Sequence, residues 1–215
     1  MRKWKSAMFE PEDVKQRILV LAALDLILCS VKWQRVHRYE PYWTDSASLG
    51  IIDNGAGDDL YIIFAPEGIL IKGFDHLSPL SPHAGEEYGV WPGMYDEVPA
   101  SLVAYLDTDT FEKENVTFCL WREKYDAEWR TGEVENPEGL DDGSDFLLGR
   151  LGYTAEDYVE WARSYYDKSL QLQVVRQVYN GVVINEEIIT VLNPGRDATA
   201  ALAELDELGI RVCRR

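Results

Sequence analysis

The spacing of apolar residues changes period several times along this chain, and each change marks an element. Behind a Pro11-Glu12-Asp13 entry suited to a first helical turn, Val14, Ile18, Leu21, Ala22 and Asp25 recur at helical intervals, predicting a helix to about Cys29. The later half of this helix is apolar nearly all round, so it should be buried against more than one neighbour. Ser48 to Ile52, Leu60 to Ala65 and Ile69 to Gly73 read as three strands of a meander, joined by an Asn54-Gly55 turn and a Pro66-Glu67-Gly68 turn. Ile62-Ile63-Phe64 and Ile69-Leu70-Ile71 are continuous rather than alternating, which predicts a sheet covered on both faces, with the helices flanking it in sequence as the covers.

Further on, a short helix is expected over Ala100 to Leu106, a strand over Val116 to Trp121, and a short strand around Trp129. Thr154 with Asp157 three residues later resembles an N-cap, and Tyr158, Trp161, Ala162, Tyr165 and Tyr166 follow at helical spacing. Helices over 170–179, 186–192 and 199–208, closed by Gly181, Pro194 and Gly209, complete the pattern. The fold class is α+β: a central, mainly antiparallel sheet of about five strands, an N-terminal helix and a helical C-terminal third. One domain spanning 1–215 is expected, its sheet-containing part at about 1–132 and its helical tail at about 150–215.

Charge narrows the function. Against 38 Asp and Glu stand 21 Lys and Arg, a formal −17, which repels phosphate backbones and attracts basic partners. Nucleic acid is thereby disfavoured as a partner. Lys32, Arg35, His37 and Arg38, interleaved with Trp33, Tyr39, Tyr42 and Trp43, could form a basic aromatic surface, but a half-buried strand with snorkelling stems accounts for them better. Cys29, Cys119 and Cys213 sit singly, without a C-x-x-C pair, which fits a reducing, cytoplasmic setting. The apolar run 18–28 is too short for a bilayer and is broken by Asp25, so neither a membrane nor a secretion signal is expected.

The segment 75–98 carries Pro79, Pro82 and Pro92 and is long for a connection inside a compact domain, which marks it as the first candidate for a site. The candidate binding residues are Asp58, Asp59, Asp75, His76, His83, Glu86 and Trp91. No metal or other cofactor is assigned and no catalytic residue can be named, since nucleophile elbows and paired-histidine motifs are absent from the sequence. A metal could still assemble from Asp75, His76, His83 and Glu86, although lone histidines beside proline turns are more often structural. Asp53, Asp58 and Asp59 around Gly55 and Gly57 do not follow the spacing of a calcium loop, and a turn in which Asp53 and Asn54 accept local N–H groups is the better reading.

Four segments, Asn54-Gly55-Ala56-Gly57-Asp58-Asp59, Lys72 to Pro82, Trp91-Pro92-Gly93 and Thr117 to Arg122, together resemble a family of bacterial proteins of unassigned function. The resemblance implies a stand-alone cytoplasmic α+β protein and brings no catalytic residues. In charge and expected architecture the chain is also similar to immunity proteins that neutralise bacterial toxins. It departs from their cell-wall-regulator-like superfamily in lacking the helical lead-in and proline pattern before the glycine turn. The resulting expectation is a non-enzymatic acidic binding protein gripping a basic protein partner. A metal-dependent or hydrolytic enzyme centred near Asp75 and His76 and a purely structural domain stand as alternatives.

Overall fold

In the computed structural model, residues 10–108, 111–136 and 138–213 are described. Six strands form one antiparallel sheet in sequence order: β1 (His37–Glu40), β2 (Ser48–Asp53), β3 (Asp59–Ala65), β4 (Gly68–Phe74), β5 (Phe118–Glu123) and β6 (Arg130–Thr131). Seven α-helices accompany them among the described residues: α1 (Pro11–Leu28), α2 (Ala100–Val103), α3 (Ser144–Gly149), α4 (Ala155–Tyr166), α5 (Leu172–Tyr179), α6 (Glu186–Leu192) and α7 (Ala198–Glu207). The fold is α+β. The stretch with aromatic and basic residues supplies only the four-residue edge strand β1, preceded by a single 3-10 turn at Lys32–Gln34.

Both faces of the sheet are covered. On one, Ile52, Leu60, Ile62, Ile69, Ile71, Phe118 and Leu120 pack against Val14, Ile18 and Ala22 of α1. Burial of each such aliphatic side chain contributes about 1.5–3 kcal/mol. Gly50 allows the close approach, since a Cβ there would stand 3.0 Å from Ile18. On the other face, Leu49, Ile51, Ile63, Leu70, Cys119 and Trp121 meet Met94, Leu102, Leu106, Phe111 and Val116. That second cover is the long connection between β4 and β5, which includes α2, and not the C-terminal helices. The tail instead packs on the far side of α1, where Leu21, Leu24, Ile27 and Leu28 meet Tyr158, Ala162, Val175, Ile189, Leu202 and Leu205. An all-round apolar α1 has a second side to bury, and the tail is what buries it.

Caps define the tail. Thr154 and Asp157 form a reciprocal capping box at α4, Asn185 accepts from Ile188 N at 3.0 Å, and Asp197 accepts from Ala200 N at 2.9 Å. The last carbonyls of α1, which lack helical partners, are met by tail side chains: Asn193 Nδ2 donates to Ile27 and Leu28 oxygens at 2.9 and 3.1 Å, and Arg196 Nε to Leu26 at 3.3 Å. No helix among the described residues is long and apolar enough to cross a membrane.

Asp25, the one charged residue in the apolar half of α1, is fully buried. Its carboxylate accepts from the His37 backbone N at 2.9 Å, from Tyr158 Oη at 2.6 Å and from Tyr166 Oη at 2.8 Å, with His37 Nδ1 at 3.1 Å. The His37 backbone N–H can only donate, and with the two hydroxyls donating as well the carboxylate is the acceptor, which assigns the imidazole proton to Nδ1. Burial and the adjacent carboxylate both hold the two phenols above their ordinary range, so they remain donors. Asp25→Asn puts an amide donor against this set, and a loss of roughly 3–5 kcal/mol is expected in urea unfolding. A loss under about 1 kcal/mol would show that the network is not a stabilising centre.

Candidate functional site

The meander brings three loops to one end of the sheet. Asp53 opposes Asp59 across β2 and β3, Gly73 opposes Phe118 across β4 and β5, and Thr131 opposes Leu120. Consequently the 54–58 turn, the chain leaving β4 and the chain leaving β6 all emerge there.

The turn is built by its own side chains. Gly55 N donates to Asp53 Oδ1 at 2.9 Å, and Asn54 Oδ1 accepts from Ala56 N at 2.7 Å and Asp58 N at 3.2 Å. These are Asx-type turns, as the sequence suggests, with Gly55 and Gly57 in the left-handed region. The arrangement turns Asp58 inward, where Asn54 Nδ2 donates to its Oδ2 at 2.6 Å and His76 approaches twice, backbone N at 3.1 Å and Nδ1 at 2.7 Å from Oδ1. Burial opposes the Asp58 charge, but the hydrogen bonds from His76 and Asn54 outweigh it and hold the carboxyl below the usual carboxylate range.

Asp75 joins the pair: single donor atoms of Asp58, Asp75 and His76 all lie within 4.8 Å of one another. Asp75 Oδ1 accepts from Leu77 N at 2.9 Å, and its side chain rests on the backbone of Gly143, where a Cβ would overlap it. Gly143 is left-handed, and Ser78 Oγ donates to Asp141 O at 2.7 Å, so the 141–144 turn is fastened beneath the chain leaving β4. Nothing in the local sequence signals this contact with a turn so distant in the chain. An Asp-Asp-Gly-Ser run is its only trace.

The remaining candidates go elsewhere. Asp59 points to the opposite face, where its Oδ1 is 3.3 Å from Nζ of Lys72, a fully buried lysine 5.2 Å from the Tyr61 ring centroid. Burial pushes Asp59 up to about 6 against the pull of Lys72. His83 belongs to a separate cluster, its Nε2 3.1 Å from Asn115 Oδ1 and its ring 4.9 Å from that of Tyr88. Glu86 is exposed. The metal grouping of Asp75 and His76 with His83 and Glu86 is therefore replaced by one with Asp58, because the 75–84 turns carry His83 toward Asn115.

Trp91 is a clamp. Its Nε1 donates to Glu135 O at 2.6 Å while Glu135 N donates to Pro92 O at 3.2 Å. Gly93, left-handed, and Gly132 cross so closely that a Cβ on either would overlap the other strand's backbone. The Trp-Pro-Gly motif thus binds the 132–135 chain to the 75–98 loop.

A cleft of about 530 Å³ opens apart from these loops, between the chain around β1 and α7. Its cations are already paired, Lys32 to Glu40 at 3.1 Å, Arg35 to Glu204 at 2.8 Å and Arg38 to Asp53 at 3.0 Å. This pairing favours the structural reading of the basic aromatic stretch over a surface for phosphates. No protein-family model, curated protein or solved structure matches the chain.

The Asp59–Lys72 pair makes a distinct prediction. Asp59→Asn strips a buried ammonium of its counter-charge and should cost roughly 2–3 kcal/mol, less than a fully buried pair because the Asp59 side chain keeps some solvent. Adding Lys72→Met should recover most of that loss in urea unfolding. If the double variant is less stable than Asp59→Asn alone, the pair is not the reason for the loss.

Proposed function

We propose that this protein is a non-enzymatic acidic binding protein that engages a basic protein partner through the loop end of its sheet. The observation that carries the reading is the junction of segments 53–60, 75–98 and 132–149. None of them contains a Lys or Arg, and side-chain and backbone hydrogen bonds fasten all three together. Acids scattered through a sequence are ordinary, but here the fold fastens segments that carry acids and no bases to one another, and a predominantly negative field there steers an oppositely charged partner. Leu77 and Tyr88, 80% and 59% exposed on the same loop, offer the apolar contact that charge alone does not supply. The kind of partner, a basic toxin-like protein, draws on the similarity to immunity proteins, an analogy of fold and charge.

Capture from lysate at roughly 50 mM and roughly 500 mM salt tests the reading, with captured proteins identified by mass spectrometry. Basic proteins should be retained at low salt. Reversing Glu86 and Glu87 to lysine should reduce capture at least about tenfold by slowing association, whereas reversing Glu67 and Glu123 at the opposite end of the sheet, an equal change in net charge, should leave it unchanged. Equal capture by both variants would reduce the effect to net charge.

A further inference from the structure

We propose that Asp58, Asp75 and His76 form a divalent-cation site. The proposal does not rest on the partner reading above. Two carboxylates and one imidazole converge from the β2–β3 turn and the chain leaving β4, and one donor atom from each lies within 4.8 Å of the others. Around an octahedral ion with bonds near 2.1 Å, adjacent donors are about 3 Å apart and opposite ones about 4 Å. The 2.7 Å between His76 Nδ1 and Asp58 Oδ1 already approximates an adjacent pair, and the widest separation needs to contract by less than about 1 Å.

The surroundings fit a cation independently of that spacing. Asp58 is a buried carboxylate whose hydrogen-bond donors are Asn54 and His76, with no Lys or Arg among them, and buried charges are normally balanced by an ion pair or a metal. Two left-handed glycines back the ligands: Gly57 lies against the His76 ring, 3.5 Å from a Cβ position, and Gly143 lies against Asp75, where any side chain would displace the carboxylate. The His76 side chain keeps 42% of its surface in solvent, so water can complete the coordination.

The donor set selects the ion. Imidazole favours first-row divalent metals, while a calcium ion wants six to eight oxygens, so Mn²⁺ and Zn²⁺ are the expected occupants. Coordination uses the Nδ1 lone pair of His76. A neutral imidazole binds in this way as its Nε2–H tautomer, the proton shared with Asp58 leaving Nδ1 as one is taken up at Nε2.

Chelator-stripped full-length protein is titrated with Mn²⁺, Zn²⁺ and Ca²⁺ by calorimetry in about 0.15 M salt, which screens diffuse binding to the acidic surface. One Mn²⁺ or Zn²⁺ per chain and a raised melting temperature are expected. His76→Ala and Asp75→Asn should each weaken affinity by at least about tenfold, as outer-shell losses alone do elsewhere, and Glu86→Gln should not. Folding of each variant is checked by circular dichroism; should His76→Ala not fold, Asp75→Asn, which keeps its shape, decides. Absence of saturable binding, unchanged affinity in the folded variants, or Ca²⁺ binding as tightly as Mn²⁺ would overturn the assignment. Partner capture repeated in chelator separates this result from the partner reading.

Discussion

The carboxylate of Asp25 is where three parts of this molecule meet. It sits on α1, receives the backbone and side chain of His37 from the sheet's edge strand, and receives two phenols from α4. Placing a charge in the middle of an apolar helix is costly unless its lone pairs are used, and here the donors come from two separate elements, β1 and α4. Neighbouring aromatic packing reinforces the arrangement, since the His37 ring meets Trp161 edge-on at 4.8 Å. The Arg35–Glu204 ion pair and the packing of Leu147, Leu148 and Leu151 in the sheet-side core also tie the two together. Apolar packing on two sides of α1 alone tolerates rotation of the helix between sheet and tail. A directional acceptor removes that freedom.

Much of the architecture was readable from local chemistry. The strands β2 to β4 follow from turn residues and continuous apolar runs, α4 from Thr154 as its cap, and α6 and α7 from their stops at Pro194 and Gly209. Of what covers the second face of the sheet, only the short helical stretch with Leu102 and Leu106 was readable. Met94 and Phe111 carry no period, because a loop that lies across a sheet contacts it wherever its irregular path allows. Asp25 could be recognised as an interruption of an apolar run, yet its partners lie 12 to 141 positions away and no spacing rule joins them. The candidate site divides in the same manner. His76 and Asp75 were visible as the end of a strand, but Asp58 and Asp59, adjacent in sequence, have opposite roles. The turn directs Asp58 to His76, and the strand's alternation sends Asp59 to Lys72.

At the loop end, glycine is used where chains cross rather than where they bend freely. Gly93 and Gly132 let two backbones touch, and Gly143 makes room for Asp75. Fixing acidic segments this tightly has an electrostatic cost, because like charges are held near one another instead of spreading apart. Backbone hydrogen bonds such as Glu135 N to Pro92 O offset it, and they leave the carboxylates in fixed positions. A surface with that rigidity loses little conformational entropy when a cation or a basic side chain arrives.

The order of strands in the sheet has a kinetic consequence. Each strand pairs with the next in sequence, so the meander closes through short loops except across the β4–β5 connection, while α1 reaches Tyr158 over 133 residues. During synthesis α1 is therefore covered in two stages. The sheet can claim one side as soon as β4 has formed, but the other side stays apolar and bare until the tail has been made. A nascent chain in that interval resembles a client of the folding machinery more than a finished protein, and the aggregation risk of the whole molecule is concentrated on one helix face.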